Sequence, residues 1–184
     1  MSKKWVFWLP VAVTIALFGT FLIALIRPSD RVIASQLVGK PIPVFDAPAA
    51  VPDQPGTSSR AFADGKPRLL NVFGSWCGPC VAEMPVLLRL QSMGVEIHGV
   101  AVHDRTEDLM RFFTENGNPY TNVGLDHAGR AQMSFGSAGV PETFIIDGNG
   151  NVIATQNGST IFNYLVPAGV TYPLTVSIKS NGCA

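Results

Sequence analysis

Two cysteines, Cys77 and Cys80, stand two residues apart where the apolar run Leu69–Phe73 gives way to a helical pattern. A short run of this kind, apolar apart from Asn71, suits a strand buried on both faces. From Pro79 to Gln91 the apolar residues Val81, Met84, Leu87, Leu88 and Leu90 recur at helical spacing, and Gly94 supplies a stop. Buried strand, tight turn and helix in that order belong to layered α/β architecture. Pro85 falls inside the helix and is expected to kink it, because proline lacks a backbone donor.

The alternation continues downstream. Val95–Val102, with Val95, Ile97, Val100 and Val102 apolar, predicts the next strand. Thr106 is the expected N-cap of a helix carrying Glu107 and Asp108 in its first turn, with Leu109, Met110, Phe112 and Phe113 on the buried side. Asn116-Gly117-Asn118-Pro119 ends it. A short apolar segment, Val123–Leu125, and a weak helix, Gly129–Phe135, follow. Thr143–Ile146 reads as a strand, Asp147-Gly148-Asn149-Gly150 as a hairpin turn, and Asn151–Thr155 as the returning strand. The expected fold is a central mixed sheet flanked by helices, carried by residues 61–158. Residues 28–60, with Pro28, Pro41, Pro43, Pro48, Pro52 and Pro55, read as a Pro-rich linker and lead-in segment rather than a second domain. Val44 and Phe45 are placed at the start of an edge strand.

Residues 1–27 carry a targeting signal. Lys3 and Lys4 precede the apolar stretch Trp5–Ile26, which ends at Arg27-Pro28-Ser29-Asp30-Arg31. Roughly 20 apolar residues cross a bilayer as a helix, whereas a cleaved leader's apolar region is about 7–15 long. No small-x-small cleavage site follows, since Leu22 and Ala24 fit it poorly, so a retained signal-anchor is favoured over a cleaved peptide. Trp5 and Trp8 suit the interface, and Pro10 is tolerated in a spanning helix. The basic cluster at the start favours a cytoplasmic N-terminus over the competing Arg27 and Arg31. The expectation is a single-pass inner-membrane protein with the domain that follows the anchor on the periplasmic side. The 13 basic and 13 acidic residues balance, which gives no electrostatic reason to expect a nucleic-acid partner. The three cysteines are too few for a disulfide scaffold, and Cys183, one residue from the C-terminus, is taken as incidental.

A strand-to-helix turn places Cys77 at the positive end of a helix, where a thiolate is stabilised. Lowering a thiol pKa from ~8.5 to ~7 requires about 2 kcal/mol, and a helix N-terminus supplies up to about 2 in favourable geometry. Cys77 is therefore the candidate nucleophile. Cys80, one turn inside, is the more buried resolving thiol, able to attack a mixed disulfide formed at Cys77. The competing reading is a metal pair, but one C-x-x-C supplies two of the four ligands zinc takes. His98, His103 and His127 stand in no ligand spacing, and Gly78-Pro79 between the cysteines fits a redox turn. Val140-Pro141 before a strand is a candidate cis peptide that would present a backbone edge to a bound substrate chain.

Trp76-Cys77-Gly78-Pro79-Cys80, with Pro85 five residues beyond and Pro141 before a strand, resembles the thioredoxin superfamily. Within it, Gly39-Lys40-Pro41, Glu83, Gly117-Asn118-Pro119-Tyr120 and Gly139-Val140-Pro141-Glu142-Thr143-Phe144 with Ile146-Asp147 resemble the DsbE/CcmG family. Those are membrane-anchored periplasmic thiol:disulfide interchange proteins of cytochrome c maturation. The resemblance runs from about Gly39 to Thr155. It implies a thioredoxin-like fold preceded by a transmembrane helix, a cis Pro141, and no cofactor beyond a redox-active Cys77–Cys80 disulfide. It also implies a reductant that acts on apocytochrome c or cytochrome c maturation proteins, with electrons from a DsbD- or CcdA-type membrane donor. In the family, acidic residues near the dithiol tune its pKa, and Glu83 and Glu142 occupy the matching positions. The plainer reading of Glu83 is a solvated helix residue. Asn71, six residues before Cys77, stands where thioredoxin has a buried Asp. Trp76 is expected to pack beside the motif and shape the contact surface.

The ending departs from the family. Relatives close with a charged amphipathic helix, whereas Ser159–Ala184 carries one charge, Lys179, and is interrupted by Pro167 and Pro173. Leu174, Val176 and Ile178 alternate with Thr175, Ser177 and Lys179, which suggests strand, and an altered 3′ end is a second reading. Two rival functions share part of the pattern. One is a TlpA-like thiol reductant for copper-site assembly; the other is a Sco-like copper chaperone, a class that carries C-x-x-x-C with a distant His.

Overall fold

The computed structural model describes residues 5–26, 36–137 and 139–157. The chain separates into two units, Met1–Ile33 and Ala34–Ala184. The first is helix α1, Trp5–Ile26, with Pro10 inside it and no charge in its terminal turns. Its described side chains, Trp8 to Leu22, are all exposed. Over the described residues no helix is long and apolar enough to cross a membrane. Cys183 and the 159–184 tail lie outside the described residues.

The second unit is built on a five-stranded sheet. In chain order its elements are β1 (Asp46–Ala47), β2 (Thr57–Ser58), β3 (Arg68–Phe73), α2 (Gly78–Ser92), β4 (Ile97–Val102) and α3 (Thr106–Asn116). β5 (Asn122–Asp126), α4 (Arg130–Ser134), β6 (Glu142–Ile146) and β7 (Val152–Asn157) follow. The strand order is β5-β4-β3-β6-β7. β3, β4 and β5 run parallel, while β6 and β7 are antiparallel to their neighbours. The parallel strands demand helical crossovers, and the apolar stripes of α2 and α3 supply them. β3 lies at the centre with all six residues buried, as expected of a mostly apolar strand covered on both faces, although Arg68 and Asn71 are polar.

Side-chain alternation sorts β3 between two cores. Leu69 and Phe73 join Met84, Leu87 and Leu90 of α2 and Leu109 and Phe112 of α3. Leu70 and Val72 join Phe144, Ile146 and Phe135 on the opposite face. Asn71, a polar residue in the central strand, therefore lies on the α2 face and is fully buried.

Three expectations need correction. The 28–60 segment is not simply a tether, because its described part is built into the domain. Phe45, Ala47, Ala50 and Val51 are buried, β1 and β2 pair as a small hairpin, and Thr57 meets the buried His98 ring at 3.0 Å. Small side chains between the prolines account for this in part: Ala47 fits against Gly124 of β5, where a Cβ would come within 2.5 Å of it, while Phe45 packs with Phe62 and Phe135. Thr106 does not cap α3; Arg105 holds the cap position without a side-chain bond, and the Thr106 hydroxyl donates to Ala50 O at 2.9 Å instead. On α2 and α3, Val81 and Met110 are exposed rather than core-facing, while Glu83 is buried.

Candidate active site

β3 delivers the chain through Gly74-Ser75-Trp76 to Cys77, which caps α2. The turn is pinned from outside. Asp104, itself buried, accepts from the Ser75 N–H at 2.6 Å and the Ser75 hydroxyl at 2.7 Å, and Gly74 O accepts from the Cys77 N–H. Pro79 sits in the first turn of α2, where a missing N–H costs nothing, and Gly78 opens the helix.

Cys77 and Cys80 are joined by a disulfide, with their Cα atoms 5.2 Å apart. The Cys77 sulfur accepts the Cys80 backbone N–H at 3.2 Å, so the N-cap position is filled by the reactive atom itself. That donor and the helix terminus both favour negative charge on Sγ once the bond is reduced. Cys80 is fully buried and Cys77, the candidate nucleophile, is 4% exposed, so both sulfurs are well covered. Trp76 stands over this surface at 60% exposure, its indole N–H donating to Val102 O at 3.1 Å. The ring lies over Gly74, where a Cβ would come within 2.7 Å of it. Beside it is a groove of about 370 Å³ lined by Ser75, Trp76, Val81, Asp104 and Arg111.

Glu83 follows Cys80 by three residues on the same buried face of α2. Its Oε1 accepts from Asn71 Nδ2 at 2.9 Å. Burial pushes the Glu83 carboxyl up to about 7, with the Asn71 bond opposing that shift. The same Asn71 amide nitrogen donates to Thr143 Oγ1 at 2.9 Å, and Asn71 Oδ1 accepts from the Tyr120 hydroxyl at 2.7 Å.

The Val140–Pro141 peptide is cis. β6 pairs antiparallel with β3, Glu142 opposite Val72, so Pro141 lies at the end of the sheet from which Cys77 emerges. Val140 packs against both cores. Glu142 is buried, and that burial raises its carboxyl pKa, with a Ser137 hydrogen bond acting the other way. Its Oε2 has no hydrogen-bond partner among the described residues. Strand alternation puts Glu142 on the face of Phe144 and Ile146, whereas Thr143 shares the α2 face with Asn71 and Glu83. The two acids that the family pattern groups together are thus divided by the sheet.

Sequence reasoning gave no role to Asp104, Thr143 or Tyr120. Asp104 follows the end of β4, a position typical of site residues in parallel sheets, which was the available signal. Thr143 and Tyr120 were visible only as letters in longer motifs.

The redoxin family matches residues 37–165. HelX of Rhodobacter capsulatus, a thiol:disulfide interchange protein, is 35% identical over 158 residues, covering 86% of this chain and 89% of that protein. DsbE of Escherichia coli K12 is 34% identical over 154 residues, covering 80% of this chain and 82% of its own. A crystal structure of a thioredoxin-family thiol:disulfide interchange protein from Chlorobium tepidum, 24% identical, superposes with a TM-score of 0.54 over 67% of this chain and 91% of that one. That likeness shows the thioredoxin-like fold. With the dithiol capping α2 and relatives of this similarity along most of its length, the chain belongs to the DsbE/CcmG family of the thioredoxin superfamily and is a thiol–disulfide oxidoreductase.

Proposed function

We propose that this protein is a membrane-tethered reductant that keeps the haem-attachment cysteines of apocytochrome c, or the thiols of its maturation partners, in the reduced state. The observation that carries the reading is the Cys77–Cys80 pair at the start of α2 with a buried carboxylate one turn further on. In the reduced protein the Cys77 thiolate attacks one sulfur of the substrate disulfide and releases the other as thiolate. Cys80 then attacks Cys77 Sγ, the substrate leaves fully reduced, and the pair ends as the disulfide seen here. For that second step Cys80 must lose a proton. Glu83, with a pKa raised to about 7 by burial, is placed to take it. A DsbD- or CcdA-type membrane donor returns two electrons to Cys77–Cys80.

Trp76 precedes Cys77 and is exposed, and Val140 packs against the cluster that holds both cysteines; with Pro141 they form the surface on which a substrate chain lies. Glu142 tunes the neighbourhood from the other face of the sheet. The anchor is α1. What supports that role is its uncharged, apolar 22-residue sequence, which follows Lys3 and Lys4. Exposed Trp8, Leu9, Ile15, Leu17, Phe18 and Phe21 have no reason to face water. The basic Lys3 and Lys4 keep the N-terminus cytoplasmic, which sets the redox unit in the periplasm.

Trapping tests the reading. Cys80→Ala leaves Cys77 unable to resolve, so the variant should accumulate a mixed disulfide with an apocytochrome or maturation protein. A trap that recovers neither removes the cytochrome role. A midpoint potential near the roughly −120 mV of a dedicated oxidase would reverse the direction of electron flow.

A further inference from the structure

We propose that Tyr120 is a positioning residue for thiol–disulfide exchange: its hydroxyl locks the Asn71 amide with Nδ2 toward Glu83, keeping the carboxylate beside Cys80 ready to accept a proton. The inference rests on the role given above to Glu83.

An amide in this position has two settings to compare. With Nδ2 toward Glu83 and Thr143, the amide donates to both and Oδ1 accepts from Tyr120. That setting favours ionised Glu83. With the amide reversed, Oδ1 would face Glu83 and could bond only to the protonated acid, while Nδ2 donated to the phenol oxygen. The Tyr120 O–H would then point at no acceptor in a fully buried site, the costly outcome for a hydrogen-bond donor. The phenol cannot escape by ionising, because burial and the Glu83 charge hold its pKa well above the usual range. Tyr120 therefore selects the setting that supports the carboxylate. Among the described residues, the titratable group set against Glu83 is Tyr120; Asn71 of β3, which bonds to it, and Thr143 of β6, which bonds to Asn71, are neutral, and Cys80 is held in the disulfide.

The surroundings hold the tyrosine in place. Its ring stacks on Phe73 at 4.7 Å between centroids. It lies over Gly99, the β4 residue paired with Asn71, where a Cβ would come within 3.1 Å of the ring. Its backbone N–H donates to Asn118 Oδ1 at 3.0 Å, Asn118 Nδ2 donates to Gln54 Oε1, and Gln54 Nε2 donates back to Tyr120 O. The Gly117-Asn118-Pro119-Tyr120 motif thereby acts as a clamp that brings one hydroxyl to Asn71.

The test is the midpoint potential of the full-length protein in detergent, measured in dithiothreitol redox buffers from pH 5 to 9. The Glu83-linked break in the wild-type profile should fall at about 7. Tyr120→Phe keeps the ring and removes the hydroxyl; it should move the break upward by about 0.5–1 pH unit, the worth of one lost hydrogen bond. In a Glu83→Gln background Tyr120→Phe should leave the profile unchanged. A wild-type break in Tyr120→Phe, with the break lost in Glu83→Gln, overturns the role of Tyr120 alone. A break that survives Glu83→Gln removes Glu83 from the reaction and Tyr120 with it. Should Tyr120→Phe fail to fold, fluorotyrosine in place of the chain's three tyrosines strengthens the donor and should lower the break; an unmoved break overturns the proposal.

Discussion

At the scale of the residue, Glu83 is held in a state that costs the fold and that the proposed mechanism uses. Its carboxyl titrates at about 7 instead of the ordinary 4.5 because it is buried. The folded state therefore binds a proton more tightly than the unfolded chain. The stability this provides is fully present below pH 4.5 and is lost as pH rises through 7. Glu83→Gln, which keeps the shape without the charge, should be nearly neutral at pH 4 and stabilise the oxidised protein by about 2–3 kcal/mol at pH 8. Thermal unfolding of both proteins across that range checks it. An equal difference at the two pH values would show that the charge is not what strains the site. The same substitution should slow resolution of the mixed disulfide, since a neutral amide cannot accept the Cys80 proton.

At the scale of the element, the hairpin and its flanks are as much part of the domain as the sheet. Phe45 is buried against Phe135, ring edge to face at 5.0 Å, and near Phe62. Thr57 ties β2 to His98, whose Nε2 faces Glu96, and Glu96 pairs with Arg68 at the start of β3. Phe45→Ala should cost about 3–5 kcal/mol in urea unfolding, a large share of the ~5–15 kcal/mol typical of a domain. A loss below about 1 kcal/mol would restore the segment to the status of a tether. Proline content suggested a linker because it breaks regular elements. It says nothing about burial, which four small or aromatic side chains decided here.

For the whole molecule, the proposed anchor and the redox unit lie in separate units of the chain. Full-length protein should fractionate with membranes and require detergent, while a chain starting at Gln36 should be soluble and retain dithiol exchange with a model disulfide. Full-length protein staying in the soluble fraction after high-salt washing would remove α1 as anchor.

Much of this architecture is legible in the order of the residues alone. The continuous run Leu69–Phe73 identifies the central strand, the spacing after Pro79 identifies α2, and their junction places both sulfurs at a helix start. Those readings succeed because periodicity and chain adjacency are local properties. Facing is not legible in the same way. Helical spacing puts Val81 on the core side, yet Val81 is 39% exposed and Glu83 is 7% exposed, because the partner that makes a buried carboxylate tolerable, Asn71, sits twelve residues back on another element. Glu83 and Glu142 look equivalent as acids in a shared motif. Only the β3–β6 register, in which one residue's slip exchanges the two faces of a strand, sets Thr143 toward Asn71 and turns Glu142 away. The sequence by itself determined which atoms can exchange a disulfide. The tertiary structure alone decided which carboxylate stands behind them, and that Tyr120, across a gap left by Gly99, reaches the amide that holds it.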